Sequence, residues 1–422
     1  MMKSYILNNG MSVLLHHMPN THSVTLGLYV KAGSGYNEEV YGGITHFLEH
    51  LHFRRAGKFS QNELYYKMES MGSTLRAATY RDFMKFTMKI IPQNLMECLE
   101  IFCNLIEACE WSKEEFEKER QVVLNQILEN EKYISVEQIV RENVFKGHNL
   151  ANEIMGSADS VETIKIEDIQ KYKARVFHSG NILFCITGNV SEKIYDSAMK
   201  RLEKVSILHE GNKNILEYPE CLGCRKPDIV MVPVYDGGLL DVNLSFDIPA
   251  DKLCREKLVL LNCILGEGVG SKLQKYIREE RCYTSNIASY IEQYQKFAIL
   301  HIRFSVEKEL LLPCLQQIAE ILNDMKHAVS SKDLEVSLPF YTANRIFYED
   351  DTEEMNFELA YHTFVLESEF GAFRFQNNDD TILALEKYAE AVFAENNMCL
   401  VIVGDTEKIS KASILEILST YR

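Results

Sequence analysis

The 422-residue sequence lacks a surplus of positive charge: 45 Lys and Arg stand against 61 Asp and Glu, a formal net charge of −16. Phosphate binding needs a basic surface, so nucleic acid is excluded as the main partner. A long apolar run is also missing. No stretch approaches the roughly 18 consecutive apolar residues that cross a bilayer. Met1 to Leu7 has no apolar core of the secretory-signal type. The cysteines, eleven in all, are odd in number and scattered, with Cys98, Cys103, Cys185, Cys263 and Cys399 inside apolar stretches. Buried free thiols in a reducing compartment are the simplest account, so a cytoplasmic chain with no membrane contact is expected. The one CxxC, Cys221-Leu-Gly-Cys224, has no second ligand pair nearby and reads as incidental.

What is present is a chain that contains itself twice. Its length suits two domains or one doubled domain, and a hydrophobic share of 46% lets each half bury a core. The segment Lys171-Tyr172, Val176-Phe177, Asn181 and Gly188-Asn189 recurs as Lys387-Tyr388, Val392-Phe393, Asn397 and Gly404-Asp405. Every pair is 216 positions apart (387 − 171, 397 − 181, 404 − 188). Each copy leads from an amphipathic helix through Asn into an apolar strand that stops at Gly.

The first half opens with a hairpin, Tyr5 to Leu7 and Val13 to Leu15 around Asn8-Asn9-Gly10, and a strand from Val24 to Val30. The second half opens with Ile229 to Val232 and Val242 to Phe246. Helical patterns cover 93–109, 113–131, 255–264 and 307–325. The expectation is an α+β fold of two similar halves, each a mostly antiparallel sheet packed with a layer of helices. The N-terminal half spans 1–205, a linker 206–226 and the C-terminal homologous half 227–422.

The motif that carries chemistry is His46-Phe47-Leu48-Glu49-His50. Residues four apart share a helix face, so both imidazoles reach one metal ion, with Glu49 between them as general base. Zinc lowers the pKa of a water it holds from about 15.7 toward roughly 7 and polarises a carbonyl.

In its setting, Gly42-Gly43-Ile-Thr-His46-Phe-Leu-Glu49-His50-Leu-His-Phe, this motif resembles the signature of the pitrilysin and mitochondrial-processing-peptidase family. The resemblance extends through the opening hairpin and Leu265-Gly-Glu-Gly-Val-Gly-Ser271-Lys-Leu273 with Ile277-Arg278-Glu279. It implies two similar halves and a zinc endopeptidase of the short-chain bacterial type, acting on extended peptides or leader peptides. Two chains would close into its chamber.

Site residues follow from the resemblance. His46 and His50 become zinc ligands, Glu49 the base and Glu119 the supporting acid. The family's third ligand is a glutamate at the position held here by Gln126, 76 residues after His50 (126 − 50). A neutral amide oxygen is a weak zinc ligand. Four outcomes stay open: Gln126 ligates poorly, Glu129 swings in, Glu119 takes the position, or no metal is held. His52 is a spare imidazole, expected to be structural or exposed. Leu75, Arg76, Ala77 and Ala78 match the family's substrate-pairing strand, although Arg76 replaces its usual asparagine. Arg278 matches the family's substrate-carbonyl arginine, but Ser285 stands where its tyrosine is expected, seven residues on. That departure makes pairing with a different, related chain an alternative to pairing with itself. A silent peptide-binding subunit is the alternative to a peptidase.

Overall fold

The computed structural model describes residues 2–37, 41–130, 135–208, 228–234, 238–370, 375–394 and 397–419. The chain begins as its turn chemistry dictates. Gly10 adopts φ 79°, a left-handed conformation that costs glycine little, and closes the hairpin between β1 (Met2–Ile6) and β2 (Ser12–His17). Next come β3 (Val24–Val30), α1 (Ile44–Arg54), the short strands β4 (Arg55–Ala56) and β5 (Phe59–Ser60), α2 (Gln61–Ser70), β6 (Arg76–Thr79) and β7 (Met84–Ile90). The first half continues with α3 (Leu95–Ile106), α4 (Lys113–Asn130), α5 (Val136–Val144), α6 (Ala158–Thr163), α7 (Ile166–Val176), β8 (Ile182–Gly188) and α8 (Glu192–Leu202). The second half holds β9 (Asp228–Pro233), β10 (Leu240–Ile248), α9 (Arg255–Leu265), β11 (Ile287–Gln293), β12 (Ala298–Val306), α10 (Leu311–His327) and α11 (Ser331–Phe347). It ends with α12 (Thr352–Ala360), α13 (Asp379–Val392), β13 (Met398–Gly404) and α14 (Lys411–Leu418).

Two sheets organise these elements. The first is six-stranded, in the order β1-β2-β8-β3-β7-β6, and the second five-stranded, β11-β12-β10-β13-β9. Each has one parallel pair, β2 with β8 and β13 with β9, among otherwise antiparallel neighbours. The expected α+β class and doubled architecture are what the chain adopts. Every residue of β3, β8 and β13 is buried, which requires cover on both sheet faces.

The internal repeat is structural down to single hydrogen bonds. Nδ2 of Asn181 donates to the carbonyls of Lys31 and Val176, at 3.0 and 2.9 Å. Nδ2 of Asn397 donates to those of Asp247 and Val392. All three pairs of positions are 216 apart (397 − 181, 247 − 31, 392 − 176). In both copies a fully enclosed amide ties a helix end to a strand end, which explains why asparagine stands at both places.

The compact units do not follow the chain in two simple pieces. One comprises 1–134, 147–217 and 346–370, and the other 135–146, 218–345 and 371–422. Helices α5 and α12 are repeat equivalents (352 − 136 and 360 − 144 both give 216), and each belongs to the unit built mainly from the other half. The apolar face of α5, Val136, Val140 and Val144, packs on β13 and β10. Helix α12 packs on β3 and β8 through polar groups as well. Asn356 donates to the carbonyls of Thr25 and Cys185 and accepts from the Tyr29 hydroxyl at 2.9 Å. Of the linker expected at 206–226, residues 209–226 lie outside the described residues, as do Cys221 and Cys224.

Candidate metal centre

Helix α1 can start where it does because Gly43 has φ 83° and no side chain. A Cβ there would stand 2.2 Å from the Met155 carbonyl oxygen. The glycine pair before the motif thus sets the helix tightly against a neighbouring loop. At its other end Trp111 Nε1 donates to the Leu51 carbonyl at 2.8 Å. Phe47 stacks on Phe116, with ring centres 5.0 Å apart, and fixes α1 against α4.

The two helices run antiparallel, so successive turns meet in order. Arg55 pairs with Glu115 at 2.9 Å, Arg54 and His50 both meet Glu119, and His46 meets Gln126. Nδ1 of His50 is 2.7 Å from Glu119 Oε1. That bond fixes the ring's tautomer and leaves Nε2 as its free donor atom. Nε2 of His46 lies 3.2 Å from Oε1 of Gln126. The two imidazoles are edge-to-face, with centres 4.5 Å apart.

Burial works to raise the Glu119 carboxyl, but hydrogen bonds from His50 and Arg54 and the Arg54 charge outweigh it. The group is held below the ordinary carboxylate range and stays an anion against His50. The Glu49 carboxylate, 7% exposed, accepts a 2.5 Å hydrogen bond on Oε2 from Thr79 Oγ1. Nδ1 of His46 is 3.9 Å from the same oxygen.

Do these residues fit zinc? Two donors each about 2.1 Å from a tetrahedral ion stand about 3.4 Å apart, close to the His46–Gln126 separation. His46 and the Gln126 amide oxygen therefore suit the ion in spacing, and the His50 ring lies beside them. In chemistry the third donor is weak, because the amide carries no charge. Glu129 is exposed, and Glu119 is engaged with His50 and Arg54. The structure thus sets Gln126, rather than either glutamate, beside His46. Among the described residues no cluster of three His, Cys, Asp or Glu side chains is placed to hold a metal.

His52, the spare imidazole, is fully enclosed and stacks on Phe177 at 5.3 Å, with Nδ1 2.7 Å from the Leu48 carbonyl. Burial pushes it well below the usual histidine range, so it is a neutral packing residue.

Strand β6 is the edge of the first sheet, paired on one side with β7. Leu75, just before it, is buried, and Ala77 packs against the core. Ala78 is half-buried, and Arg76 lies on the face opposite Ala77, where its guanidinium meets Glu353 of α12 at 3.0 Å. Arg278 belongs to the second unit, is exposed, and donates through Nε to the Ser285 carbonyl at 3.1 Å. At position 285 it is thus the backbone that meets the guanidinium.

Three contributors escaped the sequence reading. Arg54 follows His50 by one helical turn, a spacing that was available to read. Thr79 follows Ala77 by two along a strand, so the side chains share a face. Glu353 lies 277 residues from Arg76, and no local signal links them.

Comparison with known proteins agrees with this layout. Residues 12–158 match the description "Insulinase (Peptidase family M16)" and residues 163–338 match "Peptidase M16 inactive domain". The uncharacterized zinc protease YmxG of Bacillus subtilis is 23% identical over 359 residues, covering 80% of this chain and 82% of that protein. The mitochondrial-processing peptidase subunit beta of Caenorhabditis elegans is 26% identical over 266 residues, covering 62% and 56%. The crystal structure of a protease from Helicobacter pylori superposes with a TM-score of 0.83 at 20% identity, covering 96% of this chain and 99% of that one, a likeness of fold. No described helix is long and apolar enough to cross a membrane. Two matches to one family that together span residues 12–338, carried on a fold shared with the Helicobacter protease, make this chain a member of peptidase family M16.

Proposed function

We propose that the chain is a zinc-dependent endopeptidase for extended peptides or leader peptides, acting as the zinc-carrying partner of a related chain. The observation that carries this reading is the antiparallel pair α1 and α4, which presents His46, His50 and Gln126 together beside the buried base Glu49. His46, His50 and Gln126 would hold the ion. Zinc, when bound, polarises a carbonyl and acidifies a water. Glu49 accepts the proton from the attacking water and passes it to the leaving amine. Glu119 keeps the His50 ring oriented, and its anionic state is maintained by Arg54. An extended peptide adds to the free edge of β6 along Leu75 to Ala78, where main-chain hydrogen bonds give affinity with little demand on sequence.

The pairing proposal draws on Ser285, which leaves Arg278 without the family's tyrosine, and on the Caenorhabditis relative, whose name designates a subunit. A second copy of this chain is the other possible partner. Arg278 would meet the substrate carbonyl in the assembled pair. A cytoplasmic location is supported by seven buried free thiols: Cys98, Cys103, Cys109, Cys185, Cys263, Cys314 and Cys399.

A second reading, a catalytically silent subunit that binds peptides, is favoured by one observation, the uncharged amide of Gln126 at the ligand position. Glu49→Gln separates the two. The peptidase reading expects hydrolysis of a quenched fluorescent peptide to disappear while binding of the same peptide persists. A wild-type complex with its native partner that binds peptide and never cleaves it would establish the silent subunit.

A further inference from the structure

Of the contacts at the centre, the one between Thr79 and Glu49 joins the strand that would seat a peptide to the group that would take a proton from the attacking water. We propose that Thr79 is a positioning residue for the base, an inference that rests on the peptidase reading above.

The geometry is specific. The Thr79 hydroxyl donates to Oε2 of Glu49 at 2.5 Å, at the short end of the range for a charge-assisted bond. It is the one hydrogen bond on this carboxylate among the described residues, and the carboxylate is almost enclosed. A buried carboxylate with a single fixed donor has one oxygen committed and the other, Oε1, left to receive a proton. Without that donor, the side-chain nitrogen within 4 Å of Oε2 among the described residues is Nδ1 of His46, 3.9 Å away. The carboxylate would then turn toward a proposed metal ligand and away from the substrate.

The donor also sits on a firm support. Thr79 is the last residue of β6, opposite Met84 in the ladder. The chain turns immediately after it, with Tyr80 N donating to the Phe83 carbonyl at 2.8 Å and Phe83 buried. The other end of the strand is held on the opposite face by Nη1 of Arg76, which donates to both carboxylate oxygens of Glu353, at 3.0 and 3.2 Å. The strand is thus pinned at both ends, and the base is hung from the end that faces α1. A peptide in register with β6 is then in register with Glu49, which is the condition for efficient proton transfer.

Thr79→Val keeps the shape and strand preference of threonine and removes only the donor, whereas Thr79→Ser keeps the donor. The test measures kcat, KM, zinc content and thermal melting for the wild-type chain and both variants in the native pairing. A quenched peptide is the substrate. Thr79→Val is expected to lose about 10- to 100-fold in kcat, with KM within about threefold and zinc content unchanged. Thr79→Ser is expected to recover activity to within about threefold of wild type. A merely structural hydroxyl would lower melting and leave kcat of the folded protein alone. Wild-type kcat in Thr79→Val, equal impairment of both variants, or a kcat loss matched by zinc loss would each overturn the proposal. Should Thr79→Val not fold, Thr79→Ala carries the same comparison. A zinc-loaded wild type that hydrolyses no peptide overturns the peptidase reading and this inference with it. An active wild type with an unimpaired Thr79→Val overturns the inference alone.

Discussion

Oε1 of Gln126 stands 3.2 Å from Nε2 of His46, on the helix that also brings Glu119 to His50. Position 126 has the spacing of a metal ligand and the chemistry of an amide. A neutral oxygen contributes no charge to hold a divalent cation, so the affinity of the site is expected to be set at this one residue.

Gln126→Glu is therefore expected to tighten zinc binding by at least about tenfold, and Glu119→Gln to weaken it by about 10- to 100-fold through the loosened His50 ring. Competition with a chromogenic chelator measures both. Equal affinities for wild type and Gln126→Glu would remove Gln126 from the ligand set.

His52 provides the negative control. It is enclosed by Phe86, Trp111 and Phe177 and kept neutral by burial. His52→Phe is expected to leave zinc content unchanged, with any loss confined to melting temperature. A fall in zinc content for His52→Phe, measured by elemental analysis of folded protein, would make this imidazole part of the site.

Lys173 gives a pH signature of the core near α1. Its ammonium donates to the Glu107 carbonyl at 2.7 Å and lies over the rings of Trp111 and Phe177, each at 5.4 Å. Burial pulls its pKa down from 10.5 to about 8. Above that value the folded protein sheds a proton that the unfolded chain still holds. Stability relative to a Lys173→Met variant should then rise between about pH 8 and pH 10.5, by up to about 1.4 kcal/mol per pH unit. Urea titrations at several pH values test this, and parallel curves for the two proteins would contradict it.

The exchange of α5 and α12 makes a non-local prediction. Asn356 comes from the second half of the sequence, yet its side chain bonds Thr25, Tyr29, Cys185 and Thr187 of the first. Removing it in Asn356→Ala leaves several enclosed groups unpaired and should destabilise the unit by about 2–4 kcal/mol. Hydrogen exchange is expected to show lost protection in β3 and β8, with β10 and β12 unaffected. A loss spread over the second unit instead would argue against the assignment of α12.

Much of this was legible in the residues. The hairpin at Asn8-Asn9-Gly10, the strand Val24 to Val30 and the helical patterns over 113–131 and 255–264, which form as Lys113–Asn130 and Arg255–Leu265, follow from turn chemistry and periodicity. The offset of 216 that ties Asn181 to Asn397 foretold the doubled fold. The motif at 46–50 was readable because helical spacing is local, whereas Gln126, 76 residues after His50, was reached only through the family resemblance. Relationships across distant segments were not. Nothing in the neighbourhood of Glu353 points to Arg76, and no pattern in α5 or α12 announces which sheet each covers. Only the three-dimensional course of the chain decides it, as the bonds from Asn356 to Thr25 and Cys185 show.

The proposed function requires that these residues hold zinc, with Gln126 the weak member of the set. Zinc stoichiometry of the wild-type chain, purified without chelator and measured beside His46→Ala and Gln126→Glu, tests it most directly. Zinc is expected in the wild type, more firmly retained in Gln126→Glu and absent from His46→Ala. A wild-type chain without zinc under conditions that load Gln126→Glu fully would contradict it and leave this protein as a peptide-binding subunit.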